Sequence, residues 1–265
     1  MKSFAYHQPS QIPEAAGLLA TLEDSKLVAG GMTLIPTLKQ RLATPPALID
    51  LSKLPGLSGI TDDGATITVG AMTRHAEVAR SAVLAARLPA LAMLASLIGD
   101  PAVRNRGTIG GSVANNDPAA DYPAAVLGLG ATVVTNMREI PADEFFVGLF
   151  ETALQPGEII TALRFPVPLK AGYSKFKAPA SRYALVGVFV AQFAEGVRVA
   201  VTGAGPGVFR VPPMEQALTQ HFDASAIAAI KIDTEGLTSD IHAEADYRAH
   251  LVTVMAKRAV DAALA

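Results

Sequence analysis

Hydrophobic spacing along the first 55 residues predicts a small α/β unit. Apolar positions at Ile12, Ala15, Ala16, Leu19 and Leu22 recur at helical intervals. Residues 26–29 read as a short strand running into Gly30-Gly31. Thr33 is placed to cap a following helix, Pro36 fits its first turn, and the helix ends near Leu42, ahead of Pro45-Pro46. Residues 47–50 form another strand. After the turn Asp62-Asp63-Gly64, alternation over residues 66–69 predicts a strand. Ala/Leu-rich helical stretches follow at 74–86 and 89–98, then a helix at 124–129 and strands at 131–135 and 159–165. Pro166 and Pro168 end the last of these. Beyond them, strands at 174–177, 184–193 and 197–202 and helices near 213–220 and 244–264 describe an antiparallel meander with helical cover.

The breaks divide the chain into three parts: 1–55, 56–168 and 169–265. The predicted class is α+β, with two α/β subdomains and a C-terminal α+β domain built on an antiparallel sheet. Half of the 265 residues are hydrophobic and 17% are charged, a composition on the apolar side of average for a globular chain. Such a chain either builds a large core or hides part of its surface against a partner. A net charge of −2, with the basic residues dispersed, argues against nucleic acid as a ligand. The longest apolar run, residues 124–134, is too short and too glycine-rich to span a bilayer, and the N-terminal residues lack an apolar signal core. The expected location is the cytoplasm, with no transmembrane segment.

The sequence contains no cysteine, which removes disulfides, thiolate catalysis and any cysteine-ligated iron–sulfur cluster from this chain. Its five histidines are scattered without metal-ligand spacing. Two glycine pairs about eighty residues apart remain as the candidate chemistry: Gly30-Gly31, in Val28-Ala29-Gly30-Gly31-Met32-Thr33-Leu34, and Gly110-Gly111, in Thr108-Ile109-Gly110-Gly111-Ser112. Each follows a β-like run, where small residues leave backbone N–H groups bare to an anion. Neither segment holds a lysine or arginine. The pairs therefore suggest a diphosphate held by backbone amides and hydroxyls. They match neither the GxGxxG fingerprint nor a P-loop.

Three blocks carry a family resemblance: Ala29-Gly30-Gly31-Met32-Thr33-Leu34-Ile35-Pro36, Arg104-Asn105-Arg106-Gly107-Thr108-Ile109-Gly110-Gly111-Ser112, and Asp117-Pro118-Ala119-Ala120-Asp121. Tyr247-Arg248-Ala249-His250-Leu251 and Lys257-Arg258-Ala259 extend it into the tail. The chain resembles the FAD-binding, or medium, subunit of the molybdenum hydroxylases, the family of aerobic carbon monoxide dehydrogenase and xanthine dehydrogenase. The resemblance implies an FAD-binding fold of the PCMH type, with noncovalent FAD extended between the first two subdomains. It implies pyrophosphate loops at Val28, Ala29, Gly30, Gly31, Met32, Thr33 and Leu34 and at Thr108, Ile109, Gly110, Gly111 and Ser112. It also implies cofactor contacts from Asp121, Ile160 and Lys177, with no catalytic residue and no metal ligand on this chain. Met32 stands where the family commonly has a polar residue.

The implied activity is that of an oxidoreductase subunit working by electron transfer. A large subunit would carry molybdenum–pterin and a small one [2Fe-2S] clusters, the three chains forming a dimer of heterotrimers; FAD on this chain would pass electrons to an external acceptor. One alternative is a stand-alone FAD-dependent reductase or oxidase of the same fold, which needs a general base that no histidine or carboxylate constellation here supplies. Another is a non-redox assembly protein, which intact glycine pairs argue against.

Overall fold

The computed structural model describes all 265 residues. Its first sheet is parallel, with Ala47–Asp50 between Ala5–His7 and Lys26–Val28. The helix Ile12–Thr21 connects two of these strands, and its Ala15 packs with Ile49, Leu51 and Ile159 in a small core. Parallel pairing demands such a crossover. The second sheet has five strands, all antiparallel, in the order Ile60–Asp62, Thr66–Gly70, Ile160–Pro166, Thr132–Thr135, Glu139–Pro141. The third is an antiparallel meander of Lys170–Lys177, Ala184–Phe193, Gly196–Thr202 and Phe209–Arg210.

The helical stretch expected over 74–86 is two helices, His75–Arg80 and Ala82–Arg87. Ser81 separates them in extended backbone (ψ 122°) and caps the second by accepting from the Leu84 amide. The helix Tyr122–Gly128 is buried along its whole length. It packs with Ile67, Leu163 and Phe165 of the second sheet and with Phe189 and Ala200 of the third, in one continuous core.

The long helix Ala245–Leu264 closes the other face of the third sheet. Gly172 allows this approach, since a Cβ there would lie 2.0 Å from the Ala259 carbonyl oxygen. Arg248 is buried and structural: it donates to the Leu185 and Gly203 carbonyls at 2.9 and 2.8 Å and pairs with Asp240. No helix is long and apolar enough to cross a membrane.

Candidate cofactor site

The glycine segments meet at a cleft of about 850 Å³. Its walls come from residues 26–37, the turn around Ala71 and Met72, the 98–121 stretch, the 150–160 segment and residues 180–183.

The strand Lys26–Val28 delivers the first glycine pair to this cleft. Gly31 turns the chain with φ at +71°, a conformation suited to glycine. Gly30 is required for a different reason. A Cβ there would sit 2.2 Å from the Arg106 carbonyl oxygen and 2.7 Å from the Gly107 Cα, so the two backbones touch directly. The amides of Ala29, Gly30, Gly31, Met32 and Thr33 donate to no acceptor in the chain. Successive free amides around a left-handed residue form a concave donor surface for an anion. Thr33 occupies the cap position of the helix Leu34–Lys39 but makes no side-chain cap, contrary to the sequence expectation; its backbone is already helical (φ −104°, ψ −50°), which turns the hydroxyl away from the capping geometry.

The second pair is built differently. Gly110 and Gly111 lie in the first turn of a helix, Ile109–Asn115, rather than in a loop after a strand. Thr108 is the N-cap, and its Oγ1 accepts from the Gly111 amide at 3.2 Å. The amides of Ile109, Gly110 and Ser112 are bound to the carbonyls of Thr73, Ala71 and Thr108 at 3.1, 2.8 and 3.0 Å. Bare amides are therefore found at the first pair and not at the second. What the second pair provides is closeness: a Gly110 Cβ would lie 2.5 Å from the Ala71 Cβ, and a Gly111 Cβ 3.5 Å from the Ala29 Cβ. The two segments thus pack side by side at the cleft. Ser112 and Asn115, whose side chains have no hydrogen-bond partner in the chain, add polar groups to the wall.

Asp121 borders the cleft but is spent internally. Its carboxylate accepts from the Tyr173 hydroxyl at 2.5 Å and pairs with the Lys175 Nζ at 2.9 Å. The Lys175 side chain is only 2% exposed. Burial raises the Asp121 carboxyl above its ordinary range, against the opposing pull of Lys175 and Tyr173. Burial and the adjacent carboxylate hold the Tyr173 phenol well above its usual value.

Of the other residues the sequence singles out, Ala29, Met32, Thr33, Leu34 and Ile160 line the cleft. Val28 and Ile109 stand just behind the lining, Ile109 fully buried. Lys177 is exposed and outside the cleft. It shares parity with Tyr173 and Lys175 on Lys170–Lys177, yet a register shift between Phe176 and Lys177 breaks the alternation just before it.

Sequence reasoning missed several lining residues. Glu158 is 2% exposed and accepts from Arg138, Thr135 and the Gln155 amide. Burial alone would raise its carboxyl, but these hydrogen bonds bring it below the ordinary range. It thereby fixes the turn into Ile160 at the cleft wall. His75 has a buried Nδ1 without a partner, and burial lowers its imidazole to about 4, so it is neutral near pH 7. Tyr183, whose phenol is raised by burial and by Asp117, also lines the cleft. No local motif marks any of these three; the tertiary fold brings them together.

Residues 2–168 match the family described as FAD binding domain in molybdopterin dehydrogenase. The chain is 37% identical to the carbon monoxide dehydrogenase medium chain of Hydrogenophaga pseudoflava, covering 99% of this chain and 97% of that one. It is also 37% identical to the nicotine 6-hydroxylase medium subunit of Paenarthrobacter nicotinovorans, over 98% and 97% of the two chains. The solved structure of carbon monoxide dehydrogenase from Hydrogenophaga pseudoflava superposes with a TM-score of 0.88, covering 99% of this chain and 98% of that one. A chain of this fold, with both glycine segments lining one cleft, belongs to the FAD-binding family of the molybdopterin dehydrogenases, the electron-transferring flavoprotein component of these oxidoreductases.

Proposed function

We propose that this chain is the medium subunit of a three-component molybdenum hydroxylase, placed between an iron–sulfur small subunit and an external electron acceptor, with a molybdenum–pterin large subunit oxidising the substrate. The observation that carries the cofactor site is the run of unpartnered amides from Ala29 to Thr33 on the wall of the large cleft. FAD supplies the redox chemistry there, taking up and releasing electrons, while the protein supplies position and electrostatics.

The amides of residues 29–33 are the donors for the diphosphate, and the absence of lysine and arginine from both glycine segments leaves that task to the backbone. Ser112 and Asn115 add side-chain polar contacts from the adjacent helix. Met72, Ile98, Leu154 and Ile160 form apolar walls that keep water from the ring systems. Asp121 acts indirectly: with Tyr173 and Lys175 it fixes the third sheet to the start of the helix Tyr122–Gly128. Val28 and Ile109 support the two segments from behind, and Lys177 is left without a role. In this reading residues 1–55 and 56–168 supply the two sides of the cofactor site, and 169–265 forms the C-terminal domain.

The relatives' names differ in substrate, carbon monoxide dehydrogenase and nicotine 6-hydroxylase among them, and in this proposal the choice of substrate belongs to the large subunit. Affinity purification of the tagged chain from its native source tests the assembly. The expected result is co-purification of two further chains with stoichiometric molybdenum and iron. A lone chain that reduces an acceptor with its own substrate would instead establish the stand-alone reductase.

A further inference from the structure

The helix carrying the second glycine pair ends at Asn116, which takes a left-handed conformation with φ at 42°. Its side chain is buried and its Nδ2 donates twice, to the Gly148 carbonyl at 2.9 Å and to the Glu151 carbonyl at 2.8 Å. Those carbonyls flank the tip of a small hairpin, Phe146–Gly148 paired with Glu151–Thr152. One side chain thus clamps both ends of the four-residue tip, whose central residues are Leu149 and Phe150.

Phe150 is the unusual residue of that tip. Its φ is 54°, a left-handed backbone that a bulky side chain rarely adopts. It is 57% exposed, and it lines the cleft. A large aromatic held in a disfavoured conformation, outside the core and at a ligand cleft, has no packing role in the chain by itself. Aromatic rings gain most from stacking on another ring or meeting it edge to face.

Resting on the reading of the cleft as an FAD site, we infer that Phe150 covers an aromatic ring of the bound cofactor and that Asn116 is the positioning residue that holds it there. The hairpin tip is then a latch anchored to the helix that packs against the first glycine segment. Seating of the diphosphate and closure of the tip share one rigid element.

The test is a double-mutant cycle on the full chain with Asn116→Gly, Phe150→Gly and the pair. Glycine tolerates both left-handed positions, so the backbone is relieved while the clamp or the ring is removed. The readout is the rate of FAD dissociation into an excess of a flavin-scavenging apoprotein, with iodide quenching of flavin fluorescence measured on the same samples. Each single variant is expected to release FAD five- to tenfold faster, and the double variant no faster than the more severe single one, because Asn116 acts through Phe150. Phe150→Tyr is expected to restore slow release. Increased quenching assigns the flavin as the covered ring, and unchanged quenching with faster release assigns the adenine. Release within twofold of the unsubstituted rate, or multiplied effects in the double variant, would overturn the latch. Failure of the unsubstituted protein to bind FAD would overturn the reading of the cleft, and the latch with it.

Discussion

Replacing Gly30 with alanine is expected to weaken FAD binding by about a hundredfold or more while leaving the C-terminal sheet and its long helix folded. The added Cβ would lie 2.2 Å from the Arg106 carbonyl oxygen and 2.7 Å from the Gly107 Cα. Both are backbone atoms, so no rotamer change relieves the contact. The 29–33 segment has to move, and it carries the free amides. Hydrogen bonds to a charged acceptor are worth about 1.5–3 kcal/mol each, so losing two weakens binding by about a hundredfold or more. Isothermal titration with FAD measures the loss, and far-UV circular dichroism shows whether the fold persists. An alanine variant with affinity within threefold of the parent would place the diphosphate elsewhere.

The second large effect is on stability. Asp121→Ala strands Lys175, whose side chain is 2% exposed, and removes the acceptor of the Tyr173 hydroxyl. Breaking a buried pair by deleting one partner costs about 3–5 kcal/mol, because an uncompensated charge is left behind. Lys175→Met should cost a similar amount, and the double variant should recover much of the loss through coupling between the sites. Urea unfolding monitored for each variant gives the cycle. If Asp121→Ala unfolded at the parental midpoint but lost FAD, the carboxylate would be serving the cofactor directly and the structural role assigned here would fail.

Much of this architecture was legible in sequence because it rests on local rules. Pro166 is the last residue of the strand Ile160–Pro166 and Pro168 lies just beyond it, and alternation marks Thr66–Gly70. The strand Ala184–Phe193 was readable as a β-branched and aromatic run. The first glycine segment was readable for the same reason, since a strand, two glycines and a helix in succession specify its geometry.

What stayed hidden depends on contacts distant in sequence. Whether the Gly110-Gly111 amides are free is decided by Ala71, Thr73 and the Thr108 cap, which turn the pair into a helix start. That Lys175, rather than Lys177, meets the acidic residue follows from strand parity cut short by a bulge near the strand's end. Ser81 falls inside the stretch 74–86 that reads as one helix, and its capping hydroxyl divides it in two. His75, Glu158, Tyr183 and Phe150 reach the cleft from separate elements, and no spacing rule joins them.

The measurement that bears most directly on the account is a titration of the flavin-stripped protein with FAD and, in parallel, with FMN, followed by flavin fluorescence. FMN carries the same ring system but a single phosphate, so the comparison isolates the diphosphate and the nucleoside beyond it. A cleft organised around the free amides of residues 29–33 predicts stoichiometric FAD binding and little affinity for FMN. Equal affinity for the two, or binding of neither by the chain and by its co-expressed complex, would contradict it.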